Sequence, residues 1–374
     1  MNARLLHTPE GVRDIYGEEF ARKEAVENLL QQKLRSFGYQ DIQTPTFEYF
    51  DVFSSEIGTT PSKELYKFFD KEGNTLVLRP DFTPSMARCT AKYFAEMNGP
   101  LRFGYVGNTF TNTSNLQGKL KEVTQIGAEL MGDGSAEADG EVIALLISCL
   151  LSTGLKEFQV ALGDVDYFKG VCEAAGIDED TETTLRDYVS SKNYFAAEEL
   201  LAECDVADRY KDVLLKCADM LGSMDSLKEA KALVDNEKSI QAIARLEQVY
   251  EVLRLYGVEK YVSFDLGLLS KYKYYTGIIF KAYTYGIGDA VVTGGRYDTL
   301  LARFGKPMCA IGFMIVVDDL LNALSRQQIK VSYDYQFSRL TYTKENFHEK
   351  LKEATERRAK GEKIELIPEE TTNE

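Results

Sequence analysis

The stretch GFMIVVDDL, residues 312–320, does most to decide the fold, because an apolar run leads here directly into two adjacent acids. The residues from Phe313 to Val317 predict a buried strand, and Asp318 and Asp319 mark its end. Two neighbouring carboxylates at a strand end could form a catalytic pair, hold a metal ion, or stand where different chemistry was once carried out. The rest of the chain is needed to choose among these possibilities.

Composition describes an ordinary globular protein. The chain has 374 residues, of which 44% are hydrophobic, so we expect two or three domains with a sizeable core. No stretch approaches the roughly 20 apolar residues of a membrane helix, and the polar start MNARLLHTPEG has no signal-peptide core. We therefore expect a cytoplasmic protein without a membrane partner.

The charge balance argues against a nucleic-acid partner. The chain has 44 basic and 59 acidic residues, a formal net charge of −15 at pH 7. A polyanion such as tRNA would need a basic face strong enough to overcome this field. No run of lysine and arginine supplies one.

Cysteine and histidine usage argues against a metal site. The six cysteines are scattered without a CxxC pair and are typical of reduced core thiols. The two histidines, His7 and His348, lie at opposite ends of the chain, which disfavours a zinc site, a Ser-His-Asp triad and a Cys-His pair. Neither GxGxxG nor GxxxxGK[ST] occurs. We expect no metal and no cofactor.

Hydrophobic periodicity predicts alternating helices and strands in the first part of the chain. An amphipathic helix covers residues 17–37, and two apolar runs in KFFDKEGNTLVLRPDFT, residues 67–83, predict a hairpin that turns at EGN. Thr83 followed by Pro84 is typical of a helix start, with Thr83 as N-cap. A long antiparallel hairpin is predicted over residues 101–132.

Residues 167–257 differ from the rest, because they contain short amphipathic helices and no strand candidate. Strands return after residue 257 and are expected to complete the first sheet. We therefore predict an α+β fold in which helices flank an antiparallel sheet. The predicted segments are a core of 1–166, a helical insertion of 167–257, a second core part of 258–330, and a strand-helix-strand with an acidic tail at 331–374.

Two pairs of polar residues are candidates for ligand binding. Asp81 and Thr83 precede a predicted helix, so they could hold an ammonium group or merely cap the helix, and capping alone is the simpler interpretation. Gln125 and Glu129 are four apart in a strand and share a face, so both could point into one cavity. A cross-strand salt bridge would explain Glu129 equally well.

A tyrosine cluster is the third candidate. The segment KYKYYTGIIFKAYTY, residues 271–285, contains Tyr274 and Tyr275, whose rings with polar tips suit a pocket for a small polar ligand. Aromatic alternation on an ordinary strand would give the same pattern. Gly294 and Gly295 in GGRYDTL allow a close backbone approach or a simple turn.

Taken in order, these segments resemble the catalytic core of class II aminoacyl-tRNA synthetases, specifically the histidyl-tRNA synthetase family. The similar segments are GYQDIQTPTFEYFDVF, LRPDFT, GYVGNTFTNTSNLQGKLKEVTQIGAEL, KYYTGIIF, TGGRYDTL and AIGFMIVVDDL. The similarity spans about residues 8–325 and includes the helical insertion. It implies a class II synthetase-like sheet and a homodimer formed through this core.

The sequence departs from that family at positions where the family has groups that assist ATP. The resemblance implies an arginine for the α-phosphate where Thr111 stands, with a glutamate in place of Thr113. It implies an arginine for the γ-phosphate at Asp319 and a further arginine at Ser270. We therefore expect neither adenylation nor a catalytic role for Asp318 and Asp319.

The positions that would recognise histidine keep polar residues of a suitable kind, although the resemblance implies a glutamate where the shorter Asp81 stands. The resemblance implies a histidine site made of Asp81, Thr83, Gln125, Glu129, Tyr274 and Tyr275. A non-synthetase branch of this family, the regulatory subunits of ATP phosphoribosyltransferase, has the core without the anticodon domain. Membership would imply no catalytic residues, the short catalytic subunit as partner, and histidine as effector. Alternatives are a divergent synthetase-like enzyme and a histidine-binding translation regulator with a basic RNA face.

Overall fold

The structure, a computed structural model, describes residues 3–54, 60–97, 99–113, 119–269 and 274–369. It divides into two compact units, one made of Met1–Asp14 with Val26–Val331 and the other of Ile15–Ala25 with Ser332–Glu374. The four-segment division at residues 166, 257 and 330 stays a prediction.

The secondary structure of the described residues is as follows. The strands are β1 Gln40–Asp41, β2 Phe47–Tyr49, β3 Lys67–Phe69, β4 Thr75–Leu78, β5 Leu101–Phe110, β6 Glu122–Met131, β7 Phe158–Asp164, β8 Leu221–Gly222, β9 Val262–Asp265, β10 Ile278–Thr284, β11 Val292–Arg296, β12 Ala310–Val316, β13 Ser338–Tyr342 and β14 Ile364–Pro368. The helices are α1 Gly17–Ser36, α2 Thr83–Tyr93, α3 Ala136–Ser152, α4 Val165–Ala174, α5 Glu179–Ser190, α6 Tyr194–Glu203, α7 Asp208–Lys216, α8 Met224–Ala232, α9 Glu237–Tyr256, α10 Val317–Arg326 and α11 Phe347–Ala359.

A nine-stranded sheet forms the centre of the first unit, in the order β1-β5-β6-β12-β11-β10-β7-β9-β8. Its neighbouring strands are antiparallel except for two pairs, β1 with β5 and β7 with β9, which are parallel. Strands from beyond residue 257 complete the sheet, because β12 pairs with β6 and β10 pairs with β7. The predicted α+β class and the long hairpin of β5 with β6 are confirmed.

A small antiparallel sheet of three strands, β2-β4-β3, lies in the same unit. The predicted hairpin at EGN is confirmed, since β3 pairs with β4. Its turn is held by Asp70, whose carboxylate accepts the backbone N–H groups of Glu72 at 3.0 Å and Asn74 at 2.8 Å.

The segment 167–257 contains α5 to α9 and most of α4, as the amphipathic pattern predicts. The prediction that it contains no strand is wrong, because Leu221 and Gly222 form β8 and pair with β9 at the edge of the large sheet. A strand of two residues is too short to show a hydrophobic period. No helix among the described residues has the length and apolar character needed to cross a membrane.

The second unit contains a strand-helix-strand, as predicted. β13 and β14 pair in parallel, and α11 connects them and packs against both. Ala354 and Ile364 are buried between the helix and the strands. The predicted acidic tail falls largely on residues 370–374, which lie outside the described residues.

Candidate functional site

A cavity of about 200 Å³ opens on one face of the large sheet, over β5, β6, β12 and β11. We call it the sheet cavity. All six residues proposed from the sequence line it: Asp81, Thr83, Gln125, Glu129, Tyr274 and Tyr275. Residues separated by almost 200 positions in the chain are thus brought together by the paired strands β6, β12, β11 and β10, because Tyr274 and Tyr275 lie just before β10.

Glycines give the cavity its floor. Gly312 of β12 pairs with Glu129 on one side and with Gly295 on the other. A Cβ atom on Gly312 would lie 1.7 Å from Oε2 of Glu129, and one on Gly295 would lie 2.6 Å from the ring of Tyr275. Because any larger residue would displace these side chains, the space above the sheet depends on glycine at both positions.

Glu129 lies at the bottom of the cavity and is 1% exposed. Its carboxylate accepts hydrogen bonds from the hydroxyl of Thr83 at 3.0 Å and from the hydroxyl of Tyr297. Burial raises the pKa of Glu129 to about 8, and the nearby Asp81 adds to the rise while the two hydroxyl donors oppose it. The alternative of a cross-strand salt bridge is wrong, since the residues opposite Glu129 on the neighbouring strands are Phe103 and Gly312, which carry no charge.

Asp81 and Thr83 stand where the chain enters α2. The backbone N–H of Thr83 donates to Oδ1 of Asp81 at 3.2 Å, so Asp81 does serve the start of the helix. The prediction that Thr83 is the N-cap is wrong, because that position is Phe82 and the Thr83 hydroxyl instead reaches Glu129. Burial raises the pKa of Asp81 above its usual value.

Gln125 lies on β6, on the same face as Glu129, as the even spacing predicts. Its side chain is 7% exposed, and its carbonyl oxygen Oε1 is buried without a hydrogen-bond partner among the described residues. A buried carbonyl oxygen without a donor costs free energy, so this atom is suited to receive an N–H from a ligand.

Tyr274 and Tyr275 form an aromatic wall. Their ring centroids lie 4.7 Å apart, and the ring of Tyr274 meets that of Tyr297 edge-on at 6.0 Å. Tyr283 and Tyr285, from the same cluster, are exposed at the surface and do not belong to this wall.

The cavity is acidic. Asp81 and Glu129 are its two carboxylates, and no lysine or arginine occurs among the described residues that line it. Thr111, at the first position of departure from the synthetases, lines the cavity as well. Ser270 lies outside the described residues. Such a site can bind donors of hydrogen bonds and a cation, whose arrival favours the ionised form of Glu129, and its described residues offer no positive charge to a phosphate.

Asp318 and Asp319, the two acids of GFMIVVDDL, lie at the start of a helix. Asp318 and Asp319 occupy the first turn of α10, where negative charge is favourable, and Oδ2 of Asp318 accepts the backbone N–H of Thr124 at 2.8 Å. Burial raises the pKa of Asp319, and Asp318 and Asp289 add to this effect. Neither acid of the pair lines the sheet cavity.

Two tyrosines of the sheet cavity are not among the residues predicted from the sequence. Tyr105 and Tyr297 line the cavity, and burial raises the pKa of both phenols well above the usual value. Tyr297 stands in the segment GGRYDTL, where only the glycines attract notice. A tyrosine immediately after a strand that carries two glycines was the available signal.

Possible metal ligands and thiols are the other reactive groups of the described residues. Within those residues, no group of three or more His, Cys, Asp or Glu side chains is arranged to hold a metal ion. The six cysteines are free thiols, and Cys149, Cys172 and Cys217 are buried. Burial raises the pKa of all three, to about 12 for Cys217, so they are poor nucleophiles.

Comparison with known proteins gives a consistent family signal. A family model described as histidyl-tRNA synthetase matches residues 11–320. The protein named ATP phosphoribosyltransferase regulatory subunit from Ruminiclostridium cellulolyticum is 40% identical over 326 residues, which are 87% of this chain and 78% of that protein. A protein of the same name from Thermoanaerobacter pseudethanolicus is 39% identical over 365 residues, 97% of this chain and 94% of the relative.

Solved structures agree with the sequence comparisons. The crystal structure of an ATP phosphoribosyltransferase regulatory subunit/histidyl-tRNA synthetase from Bacillus halodurans is similar with a TM-score of 0.89 at 34% identity, covering 99% of this chain and 94% of that one. Histidyl-tRNA synthetase from Nostoc has a TM-score of 0.80 at 18% identity, covering 98% of this chain and 87% of that one, which shows the shared fold. The predicted class II synthetase-like fold is confirmed.

Proposed function

Since the chain belongs to the family of ATP phosphoribosyltransferase regulatory subunits, we propose that it activates a short catalytic subunit of that enzyme at the first step of histidine biosynthesis. It is itself non-catalytic. Free histidine binds in the sheet cavity, and this binding carries feedback inhibition to the catalytic subunit.

The observation that carries the proposal is the set of buried carboxyl groups and carbonyl acceptors in the sheet cavity. Asp81 and Glu129 supply two carboxylates, and Oε1 of Gln125 is a buried acceptor without a described partner. Buried acceptors of this kind favour a ligand that brings N–H donors and positive charge. The α-ammonium group and the imidazole ring of histidine supply both, and Tyr274 and Tyr275 offer rings against which an imidazole can pack.

The size of the cavity supports a ligand no larger than an amino acid. At about 200 Å³ it is smaller than the sites for drug-sized molecules, which begin at roughly 300 Å³. An amino acid fits this scale better than a nucleotide with three phosphates does.

Charge also argues against adenylation. Resemblance to the synthetases places arginines for ATP at Thr111 and Asp319, where this chain has a neutral hydroxyl and an acid. A carboxylate at roughly 4 Å from a phosphate charge, with an effective dielectric constant near 20, is repulsive by about 4 kcal/mol. Electrostatic clamps of the opposite sign are what phosphoryl chemistry needs. This supports a protein that senses histidine without activating it.

An exposed apolar face supports the proposal of a homodimer. In the small sheet, Phe47 pairs with Leu78, and both Tyr49 and Phe68 pair with Leu76, so all five side chains share one face. Phe47 is 52% and Tyr49 58% exposed. A contiguous aromatic face of this kind is typical of a protein interface, and a second copy of the chain, related by a twofold axis, would cover it with the same face.

Co-purification with a short ATP phosphoribosyltransferase catalytic subunit tests the proposal. The protein alone should show no phosphoribosyl transfer, the complex should be active, and histidine should inhibit the complex. ATP–pyrophosphate exchange with histidine should be absent. A catalytic subunit whose activity is the same with and without this protein would contradict the proposal, and histidine-dependent exchange would favour a divergent synthetase-like enzyme.

A further inference from the structure

Two guanidinium groups from different elements converge on Asp139, a carboxylate of α3 that is 0% exposed. Arg245 of α9 donates from Nε to Oδ2 at 2.8 Å, and Arg296 at the end of β11 donates from Nε to Oδ1 at 3.0 Å. Arg245 also donates to the carbonyl oxygen of Gly134 at 2.7 Å, and Arg296 donates to that of Asp133 at 3.2 Å. A helix of the segment 167–257 is thereby bonded to the central sheet through one buried acid.

The helix that carries Arg245 has little room to move. α9 packs against α3, and a Cβ atom added to Gly140 of α3 would lie 2.4 Å from Cγ1 of Val252 in α9. Because the two helices are in close contact, the guanidinium group of Arg245 is delivered to Asp139 at a fixed position.

Arg296 leads directly into the wall of the sheet cavity. The next residue is Tyr297, whose hydroxyl donates to Glu129. The carbonyl oxygen of Arg296 accepts the N–H of Thr276 at 2.8 Å, and Thr276 directly follows Tyr275. Arg296 is therefore linked to the hydroxyl that reaches Glu129 through its chain neighbour Tyr297. It is linked to the turn that carries Tyr274 and Tyr275 through its own carbonyl oxygen.

We propose that Arg245, acting through Asp139 and Arg296, is a positioning residue for the sheet cavity. It holds Tyr297 and the turn at Tyr275 in the geometry that binds the ligand. The position of α9 against α3 therefore regulates the affinity for histidine. The identity of the ligand rests on the function proposed above. The link itself rests only on the bonds just described.

Loss of Arg245 has a defined physical consequence. Asp139 would keep Arg296 as its remaining described cationic partner, while Nη1 of Arg296 is already bonded to Asp298 at 3.1 Å. Arg296 is shared between Asp139 and Asp298, and Asp139 would have lost its other cation. The guanidinium group of Arg296 should therefore shift its position, and its chain neighbour Tyr297 should move with it.

The test compares two arginines of α9 in the full-length protein. Arg245→Met should weaken histidine binding in a calorimetric titration by roughly tenfold, the scale of coupling through a connected network. Arg254→Met is the matched control, because Arg254 lies on the same helix, pairs with Glu251 at 2.9 Å and is exposed. It should leave the affinity unchanged. Arg245→Lys, which keeps a cation near Asp139, should recover part of the loss.

Two further readouts separate positioning from general loosening. Arg245 is proposed to act on Tyr297. In a double-mutant cycle, the loss of histidine-binding free energy in Arg245→Met/Tyr297→Phe should therefore be smaller than the sum of the losses in the two single variants. Without any ligand, hydrogen–deuterium exchange over residues 274–298 should be faster in Arg245→Met than in Arg254→Met.

The outcomes distinguish this inference from the proposed function. If the wild-type protein does not bind histidine, the proposed function fails, and the exchange measurement alone decides the inference. Equal exchange over residues 274–298 in the two variants overturns the link. If the wild type binds histidine, unchanged affinity in Arg245→Met, or full additivity with Tyr297→Phe, overturns it.

Discussion

Glu129 and Asp139 are both buried carboxylates of the first unit, and the protein surrounds them in opposite ways. Asp139 is paired with the guanidinium groups of two arginines. Glu129 has only the neutral hydroxyls of Thr83 and Tyr297 as described partners, and burial raises its pKa to about 8. Removing an acid that is paired with buried cations leaves those charges without a partner and destabilises the fold, whereas an acid held by neutral donors can still accept a cation. The difference separates a structural site from a binding site.

The largest effect is expected at the paired acid. Asp139→Ala would leave two arginines near a buried position without their partner, which should lower the free energy of unfolding by about 3–5 kcal/mol. Urea denaturation followed by circular dichroism measures this, with Glu129→Gln as the matched change at the unpaired acid. A loss below about 1 kcal/mol for Asp139→Ala would remove the contrast between the two sites.

The second effect is a pH dependence of stability that comes from Glu129. Its folded pKa of about 8 exceeds the ordinary value of 4.5, so the folded state holds a proton that the unfolded state releases between these pH values. Stability from this group is therefore full below pH 4.5 and falls as the pH rises to 8, by at most about 1.4 kcal/mol per pH unit.

Glu129→Gln should remove this decline, because glutamine does not titrate. The measurement is urea denaturation of both proteins from pH 5 to pH 8, a window inside the two pKa values. Parallel curves for wild type and variant would show that the carboxyl is not shifted as described.

The third effect concerns ligand binding at the unpaired acid. A bound ammonium group would favour the ionised form of Glu129. Glu129→Gln should therefore weaken histidine binding by roughly 10- to 100-fold, since a charged hydrogen bond contributes about 1.5–3 kcal/mol. Histidine inhibition of the complex with the catalytic subunit should be lost to the same extent. Glu122→Gln on the same strand is the control, because Glu122 does not line the sheet cavity and bonds to Asn108 at 2.6 Å. Inhibition that persists in Glu129→Gln would remove this residue from the site.

The smallest effect is expected at Gln125, where a substitution should stabilise the free protein but weaken the binding of histidine. Gln125→Leu removes a buried acceptor without a described partner, so the free protein should become more stable by up to about 1 kcal/mol. Histidine binding should weaken by roughly fivefold, because the ligand loses an acceptor. Thermal unfolding with and without histidine measures both changes. A variant that is less stable and binds histidine normally would show that Oε1 serves the fold.

Much of the cavity could be predicted because strand geometry is regular. Gln125 and Glu129 share a face by spacing alone, and the order of segments placed β6, β11 and β12 in one sheet. Thr83 could not be assigned correctly, since its hydroxyl bonds to a residue 46 positions away in preference to its own helix. The sequence at the helix start gives no sign of that choice.

The paired acid was not predictable by the same reasoning. Asp139 lies in a helix that also carries Glu137 and Glu141, so its acidity does not distinguish it, and its partners are 106 and 157 residues away in the chain. Neither a hydrophobic period nor a local motif connects Arg245 to Arg296. Only the packing of α3 against α9 and against the sheet brings these side chains together.

The central claim is that Glu129, a buried acid of the sheet cavity, binds a cationic group of an amino acid. Calorimetric titration of the wild-type protein and of Glu129→Gln with histidine tests it most directly. The account predicts one histidine bound per chain in the wild type and at least tenfold weaker binding in the variant, as expected from the loss of a charged hydrogen bond. Equal binding by the two proteins, or no binding by the wild type, would contradict it.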